Sequence, residues 1–235
     1  MTTLARGSLA VMVLLFVGGT GWSILSLPTQ GDGLREEVAA RLAESGAGNP
    51  VTAVLLNFRG YDTLLEIAVL LVAALAVRAL AEERIQPDRA LFDPPGPVLT
   101  GLLRVLAPLV VVVAGYLLWV GGDAPGGAFQ AGAVLASLGV LILLCDPLMV
   151  PSMPDWIERM LLTLGAFVFV SVGLAGLTLQ GALLRYPRDW APSLLLLIEA
   201  ACTLSIAMVL AALFAGGKVA PAAKVEPSTP RNDRP

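Results

Sequence analysis

The residues of this sequence that could do chemistry are acids placed inside long apolar segments. Glu66 lies one helical turn after Asp62 near the start of one segment, and Glu199 lies near the start of another. A carboxyl group at membrane depth is costly, so it normally faces a protein interior or a hydrated path. There it could carry a proton or share a cation. Alternatively, both are structural acids that pair with an arginine or reach the membrane surface. Asp62, at the segment end, is predicted to pair with Arg59.

Glu199 belongs to a short polar stripe, because Cys202 and Thr203 follow it at i+3 and i+4 on the same helix face. The two cysteines, Cys145 and Cys202, lie in apolar stretches far apart, which favours reduced, buried thiols over a disulfide. The sequence contains no histidine, which excludes histidine-ligated zinc or haem and Ser-His or Cys-His catalytic pairs in this chain. We therefore expect no metal site, no cofactor and no enzyme activity.

A glycine-rich hairpin is the third feature. Proline cannot continue the preceding helix and the glycines permit a tight turn. Ala128, Gly132 and Ala136 then repeat at i+4 and form a small-residue stripe for close helix contact. The turn holds a single charge, Asp123, so packing is favoured over ion binding as its role. The hairpin residues are Gly121, Pro125, Gly126, Gly127, Phe129 and Gly132.

Composition decides which elements hold these residues. The 235 residues are 57% hydrophobic and 14% charged, whereas about a quarter of a soluble domain is charged. The runs of apolar residues are long enough to cross a bilayer as helices, and the alternation of barrel strands is missing. The sequence therefore predicts an all-α integral membrane protein with about six transmembrane helices: Ser8–Leu27, Tyr61–Leu80, Val98–Val120, Gly126–Cys145, Met160–Leu179 and Ser193–Ala215.

The distribution of basic residues predicts the orientation. With the N-terminus inside, ten of the 15 basic residues lie in cytoplasmic segments and helix ends, which fits the positive-inside rule. Both termini are thus predicted to be cytoplasmic. The ten are Arg6, Arg78, Arg84, Arg89, Arg104, Arg159, Lys218, Lys224, Arg231 and Arg234.

The first span is predicted to stay as an anchor, because its charge-free core is longer than that of a signal peptide. The net charge of −3 and the lack of a basic run argue against nucleic acid as a partner.

The segments between the spans predict the division of the chain. Residues 33–45 place Leu34, Val38 and Leu42 at i, i+4 and i+8, which indicates a short amphipathic helix on the outer face. Residues 85–97 are rich in proline and charge and are predicted to form a cytoplasmic linker between two modules. The proline-containing tail, 218–235, is predicted to be disordered.

Two motifs resemble those of a known family. The hairpin, GGDAPGGAFQAG at residues 121–132, resembles the GHxxPGGGFxxG signature of the MnhB-type domain, found in the B subunit of Mrp-type multisubunit cation/proton antiporters and in related membrane-bound hydrogenase complexes. Residues 51–67, VTAVLLNFRGYDTLLEI, resemble the VTAVLxDFRGxDTxxEI stretch at the end of the large antiporter A subunit or in the small hydrogenase E subunit. The resemblance implies a two-helix module, 1–84, like the hydrogenase E subunit, and a four-helix module, 98–217, of the MnhB type. It covers nearly all of the predicted helices.

The resemblance implies roles for individual residues. Glu66 matches the membrane acid that the family associates with its ion route, Arg59 and Asp62 match its flanking charges, and Glu199 resembles the acid that opens the last helix of the MnhB-type domain. Three positions depart from the pattern. Gly122 stands where the family often has histidine, Ala128 replaces the third glycine, and Asn57 replaces an aspartate.

The function implied is a membrane subunit of an Mrp-like complex that exchanges Na⁺ or another monovalent cation for H⁺ across the cell membrane. Its partners would be the other subunits, the two ions and the lipid bilayer. The chain lacks the symmetric, discontinuous helices of a self-sufficient transporter. Two alternatives remain open. The chain could belong to the membrane arm of a redox-driven, hydrogenase-type complex, or it could be an assembly scaffold that moves no ions.

Overall fold

Helices make up most of the chain that the structure describes. The computed structural model describes residues 3–27, 33–81, 96–145 and 154–216, and no β-strand occurs in these ranges. The helices are α1 Thr3–Leu25, α2 Arg35–Ser45, α3 Pro50–Ala53, a π-helical turn Val54–Phe58, α4 Gly60–Ala81, α5 Pro97–Val120, α6 Ala128–Cys145, α7 Asp155–Gln180 and α8 Ala191–Phe214. The all-α prediction is confirmed.

Helices α4 to α8 are each long and apolar enough to cross a membrane. They correspond to five of the six predicted spans. The first predicted span coincides with α1, whose strongly apolar part, Leu9–Leu25, is shorter than the others. Helix α2 occupies the place of the predicted amphipathic helix. The predicted tail and all but the last two residues of the predicted linker lie outside the described residues.

The chain divides into two units, Met1–Glu37 and Val38–Pro235. In the second unit α8 is the central helix and packs against α4, α5, α6 and α7. The buried face of α8 accounts for this central position, because it contributes four residues to the main apolar core. These are Leu195, Ile198, Cys202 and Ile206, and Phe169 of α7 belongs to the same core. Burying such side chains yields about 1.5–3 kcal/mol each in water, whereas in lipid close packing takes over as the main attraction.

Glycines allow the close approach of α6 and α7 to α8. A Cβ atom on Gly132 of α6 would lie 2.8 Å from Cγ2 of Ile206. A Cβ atom on Gly165 of α7 would lie 2.9 Å from Cβ of Ser205 and 3.1 Å from the backbone of Cys202. Any larger residue at these two positions would push the helices apart. The small-residue stripe that starts at the hairpin therefore packs against α8.

The helix before α4 is interrupted. Asn49 caps α3 by accepting a hydrogen bond from the backbone N–H of Val51 at 3.0 Å. The chain then widens into the π-helical turn, where the N–H of Arg59 bonds to the carbonyl of Val54, five residues earlier, at 2.7 Å. Arg59 is non-helical, and α4 begins at Gly60. Such turns widen a helix and release carbonyl groups for other donors.

Two hydroxyl groups take up the released carbonyls. The Thr63 hydroxyl donates to the Leu55 carbonyl at 2.6 Å, and the buried Tyr186 hydroxyl donates to the Leu56 carbonyl at 3.1 Å. Tyr186 lies in the segment between α7 and α8, so it ties that segment to the interrupted helix. Burial raises the pKa of the Tyr186 phenol well above its usual range, and the nearby Cys202 adds to this. The phenol therefore stays a hydrogen-bond donor in strongly alkaline solution.

Candidate functional site

A tight turn organises one end of the bundle, called here the hairpin end and defined by residues 121–127. The N–H groups of Asp123 and Ala124 bond to the Val120 carbonyl, and the N–H of Gly127 bonds to the Leu117 carbonyl at 2.8 Å. Gly127 has a φ of +107°, which L side chains rarely adopt. The turn predicted from the glycines and proline is present.

Residues before the π-helical turn are fastened to the hairpin. The N–H groups of Gly48 and Asn49 both bond to the Gly122 carbonyl, at 2.9 and 2.8 Å. The Asn49 side chain donates to the Ala124 carbonyl at 2.9 Å, and the Thr52 hydroxyl donates to the Gly121 carbonyl at 2.5 Å. These four bonds join parts of the chain about 70 residues apart. Residues 48–52 therefore contact the hairpin directly.

A cavity of about 230 Å³ lies at this junction. Its wall includes Thr52 from the first module, Trp119 and Asp123 from the hairpin region, and Leu195 and Glu199 from α8. Asp123 is exposed, whereas Glu199 is 5% exposed. The cavity is partly open to the surface, and Glu199 is the buried acid in its mostly apolar wall.

Glu199 is held at the hairpin. The backbone N–H of Ala128 lies beside its carboxyl group. A Cβ atom on Gly127 would lie 2.7 Å from its Oε1 atom, so the acid rests directly on the glycine. The Thr203 hydroxyl donates to the Glu199 backbone carbonyl at 2.8 Å and lies 3.4 Å from the Ala128 carbonyl. Thr203 thus fixes the helix backbone beneath Glu199 rather than the carboxyl group itself.

The other hairpin residues predicted from the sequence lie around Gly127 in the turn. Gly121 and Gly126 leave no room for a side chain, since a Cβ atom on the first would collide with Gly127 and one on the second with the Leu117 carbonyl. Pro125 and Phe129 are exposed. The glycines are therefore required by sterics, and they bring the turn close to Glu199.

Glu66 lies apart from this cavity. It is on an exposed face of α4, one turn beyond Asp62. Arg59 and Asp62 form the predicted ion pair, and both side chains are more than half exposed. The structure therefore does not bring Glu66 and Glu199 together within this chain. It groups Glu199 with Thr203 and the hairpin, and Glu66 with the Arg59–Asp62 pair.

A second buried acid has no distinctive signal in the sequence. Glu158, in the first turn of α7, is 1% exposed and pairs with Arg78 of α4, with Nη1 and Oε1 3.0 Å apart. In the sequence Glu158 resembles an ordinary acid at a helix start, where such residues are favoured. The sequence predicts Arg78 only as one of the basic residues near a cytoplasmic helix end. The pairing depends on how α4 packs against α7, which no local pattern reveals.

The departure at position 57 has a structural explanation. The Asn57 side-chain amide donates a hydrogen bond to the Ser45 carbonyl, at the end of α2, over 2.9 Å. An ionised aspartate could not donate this bond.

Among the described residues, no group of three or more His, Cys, Asp or Glu side chains could hold a metal ion.

Two family models match the chain. A model described as a domain related to the MnhB subunit of Na⁺/H⁺ antiporter matches residues 98–220, and one described as the E subunit of MBH matches residues 3–96. The A/B subunit of a probable K⁺/H⁺ antiporter of Rhizobium meliloti (strain 1021) is 31% identical over an alignment of 160 residues, gaps included. This alignment covers 55% of this chain and 16% of that protein. An uncharacterised protein of Methanocaldococcus jannaschii is 28% identical over an alignment of 154 residues, which covers 57% of this chain and 58% of that protein. The chain thus spans a small part of the first relative and just over half of the second.

Two solved structures have the same fold. A chain of the Mrp complex from Dietzia sp. matches 99% of this chain and 26% of its own length, with a TM-score of 0.65 and 25% identity. A chain of the membrane-bound sulfane sulfur reductase, an archaeal respiratory membrane complex, matches 90% of this chain and 99% of its own length, with a TM-score of 0.66 and 23% identity. The second likeness is one of fold alone.

Proposed function

This chain belongs to the family with a domain related to the MnhB subunit of Na⁺/H⁺ antiporters, and from that premise we propose that it is a membrane subunit of an Mrp-type complex that exchanges a monovalent cation for protons. It is a multi-pass membrane protein. The other subunits of the complex are its partners, and the complex lies in the cell membrane with both termini of this chain in the cytoplasm. It acts in transport rather than as an enzyme.

The observation that supports ion handling most directly is the buried carboxyl group of Glu199 in the wall of the junction cavity. A buried acid without a cationic partner favours uptake of a proton or a bound cation, because isolated buried charge is strongly disfavoured. In the described residues, the ion pairs are Arg59–Asp62, Arg78–Glu158 and Arg188–Glu44, and none includes Glu199. Glu199 is thus an acid whose charge an exchanging ion can balance.

Glu66, on α4, is the second acid that we propose for ion transport, and it lies outside the cavity of Glu199. Its helix is one of the candidate spans and its side chain is exposed in the single chain. An ionised acid that faces lipid within a membrane span is costly. That cost favours a neighbouring subunit, or a hydrated path between subunits, as the environment of Glu66 in the assembled complex. Glu66 there takes up and releases a proton or shares a cation, with Asp62 and Arg59 beside it.

The test uses the complete complex in proteoliposomes, with cation-driven proton movement followed by a pH-sensitive dye. Glu199→Gln and Glu66→Gln keep side-chain shape and remove the charge. Glu37→Gln, an exposed residue of α2, is the matched control. We expect unchanged complex yield in all three and loss of most exchange in the first two only. Wild-type exchange in both test variants would contradict the ion role and support an assembly scaffold.

The redox-driven alternative has its own test. Purification of the complex in mild detergent identifies the subunits that accompany this chain. Subunits with iron–sulfur ligands would favour a respiratory complex, like the archaeal one with the same fold. Antiporter subunits alone would favour the proposed function.

A further inference from the structure

The exposed residues of the junction cavity lie at the hairpin end of the bundle. Gly48, Asp123 and Pro192 form its exposed rim. Thr52 and Glu199, each 5% exposed, lie in its buried part. Glu199 is eight residues after Ala191, the first residue of α8, which is about 12 Å along a helix. The cavity thus leads from the surface at the hairpin end to a carboxyl group well inside the bundle.

The opposite direction is closed by packing. The end of the bundle away from the hairpin, where α6 ends and α7 begins, is called here the far end. On α8, Glu199 is the last residue that lines the cavity, and Ile206, further along, is 2% exposed. A Cβ atom on Gly132 of α6 would lie 2.8 Å from Ile206, and one on Gly165 of α7 would lie 2.9 Å from Ser205. Closely packed helices therefore separate Glu199 from the far end within this chain.

The cavity has room for water and a wall of one charge sign. Its volume of about 230 Å³ is several times the ~30 Å³ that a water molecule occupies in the liquid. Much of the wall is apolar and includes Trp119, Leu195 and Leu196. Of the described residues that line it, the charged ones are Asp123 at the rim and Glu199 inside. Two carboxyl groups without a basic side chain in the same wall attract a cation and repel an anion.

We propose that the junction cavity is the path by which water and small cations reach Glu199 from the hairpin end. Asp123 attracts the cation at the rim, and Glu199 receives it at the inner end. This inference rests on the proposed function, because it states the side from which that acid exchanges its ion. Movement onward to the far end then requires a neighbouring subunit, or a displacement of α6 or α7 against α8.

The test is cysteine accessibility in the complete complex, held in sealed vesicles. Leu196→Cys places a thiol in the cavity wall. Leu210→Cys is the matched control, because Leu210 is on the same helix and equally half-buried but does not line the cavity. The probe is a membrane-impermeant, cationic methanethiosulfonate, and mass spectrometry of this chain identifies the modified peptide. Gln180→Cys at the hairpin end and Asp155→Cys at the far end, both exposed, mark the two sides.

We expect the reagent to modify Leu196→Cys from the side that modifies Gln180→Cys, and to leave Leu210→Cys unmodified. Adding Asp123→Asn should slow the cationic reagent at Leu196→Cys by about 2–5-fold, the factor that one unit charge a few ångströms away produces in water. It should not slow an anionic reagent of similar size. Reaction only from the side of Asp155→Cys would overturn the proposal. So would the absence of reaction from either side, which would mean that a neighbouring subunit fills the cavity.

Exchange after modification separates this proposal from the proposed function. The attached group fills the path, so modified Leu196→Cys should lose most of the exchange that it shows before treatment, whereas treated Leu210→Cys should keep its own. Unchanged exchange after complete modification would overturn the path, even where Glu199→Gln abolishes exchange. Unchanged exchange in Glu199→Gln and Glu66→Gln is the separate result that contradicts the proposed function, and it does not alter which side the thiol is reached from.

Discussion

The most direct test of the hairpin geometry is Gly127→Ala. At this position φ is +107°, and an added Cβ atom would lie 2.7 Å from Oε1 of Glu199. The substitution therefore has two effects, strain in the backbone and displacement of a carboxyl group that is 5% exposed. A non-glycine residue in such a conformation costs about 1–3 kcal/mol. The displaced carboxyl group also moves away from the Ala128 N–H. Because both effects act together, the upper part of that range applies.

The expected effect is measurable. For a chain of 150–250 residues, 1 kcal/mol shifts the melting temperature by roughly 2–4 °C. A cost of about 2–3 kcal/mol should therefore make Gly127→Ala melt about 4–12 °C below the wild type. The assay is thermal unfolding of the full chain, or of the complex, in mild detergent. Gly122→Ala is the matched control, because a Cβ atom there meets nothing within 4 Å. If the two variants melt together near the wild-type temperature, the steric account of the hairpin is wrong.

Three further predictions concern other contacts, each measured by thermal unfolding. Asn57→Asp removes the donor to the Ser45 carbonyl and should destabilise the protein by about 1–3 kcal/mol at neutral pH, with recovery in acid as the new carboxyl group gains a proton. Tyr186→Phe should cost about 0.5–1.5 kcal/mol. The raised pKa of Tyr186 makes the wild-type protein less stable as pH rises above about 10, because the unfolded state then releases the phenol proton more readily than the folded state. The Tyr186→Phe variant should lack this alkaline loss of stability. Gly165→Ala should destabilise by roughly 1–3 kcal/mol through overpacking against α8, whereas Gly115→Ala, in open space, should not.

The helices and their membrane character can be predicted from the sequence, because hydrophobic length alone decides them. The turn at residues 121–127 is predictable as well, since proline and glycine restrict the backbone locally. The ion pair of Arg59 and Asp62 lies within one helical turn and is a local feature too. The roles of Glu66 and Glu199 remain predictions, although the two side chains differ in burial.

The features that the sequence does not predict depend on contacts between segments far apart in the chain. The burial of Glu158 requires α4 and α7 to meet at the far end, and the cavity at Glu199 requires residues 46–52 to dock on the hairpin. The π-helical turn also has no simple sequence signature, because its carbonyl groups are satisfied by Thr63 and by the remote Tyr186. Each depends on tertiary packing, which overrides local preference.

The four hydrogen bonds between residues 48–52 and the hairpin have a consequence for how this polypeptide could be built. They join its two halves at a place far from the peptide backbone between Ala81 and Gly96. Two separately translated halves should therefore find each other in the bilayer and dock as a heterodimer. One gene or two would then encode the same assembled unit.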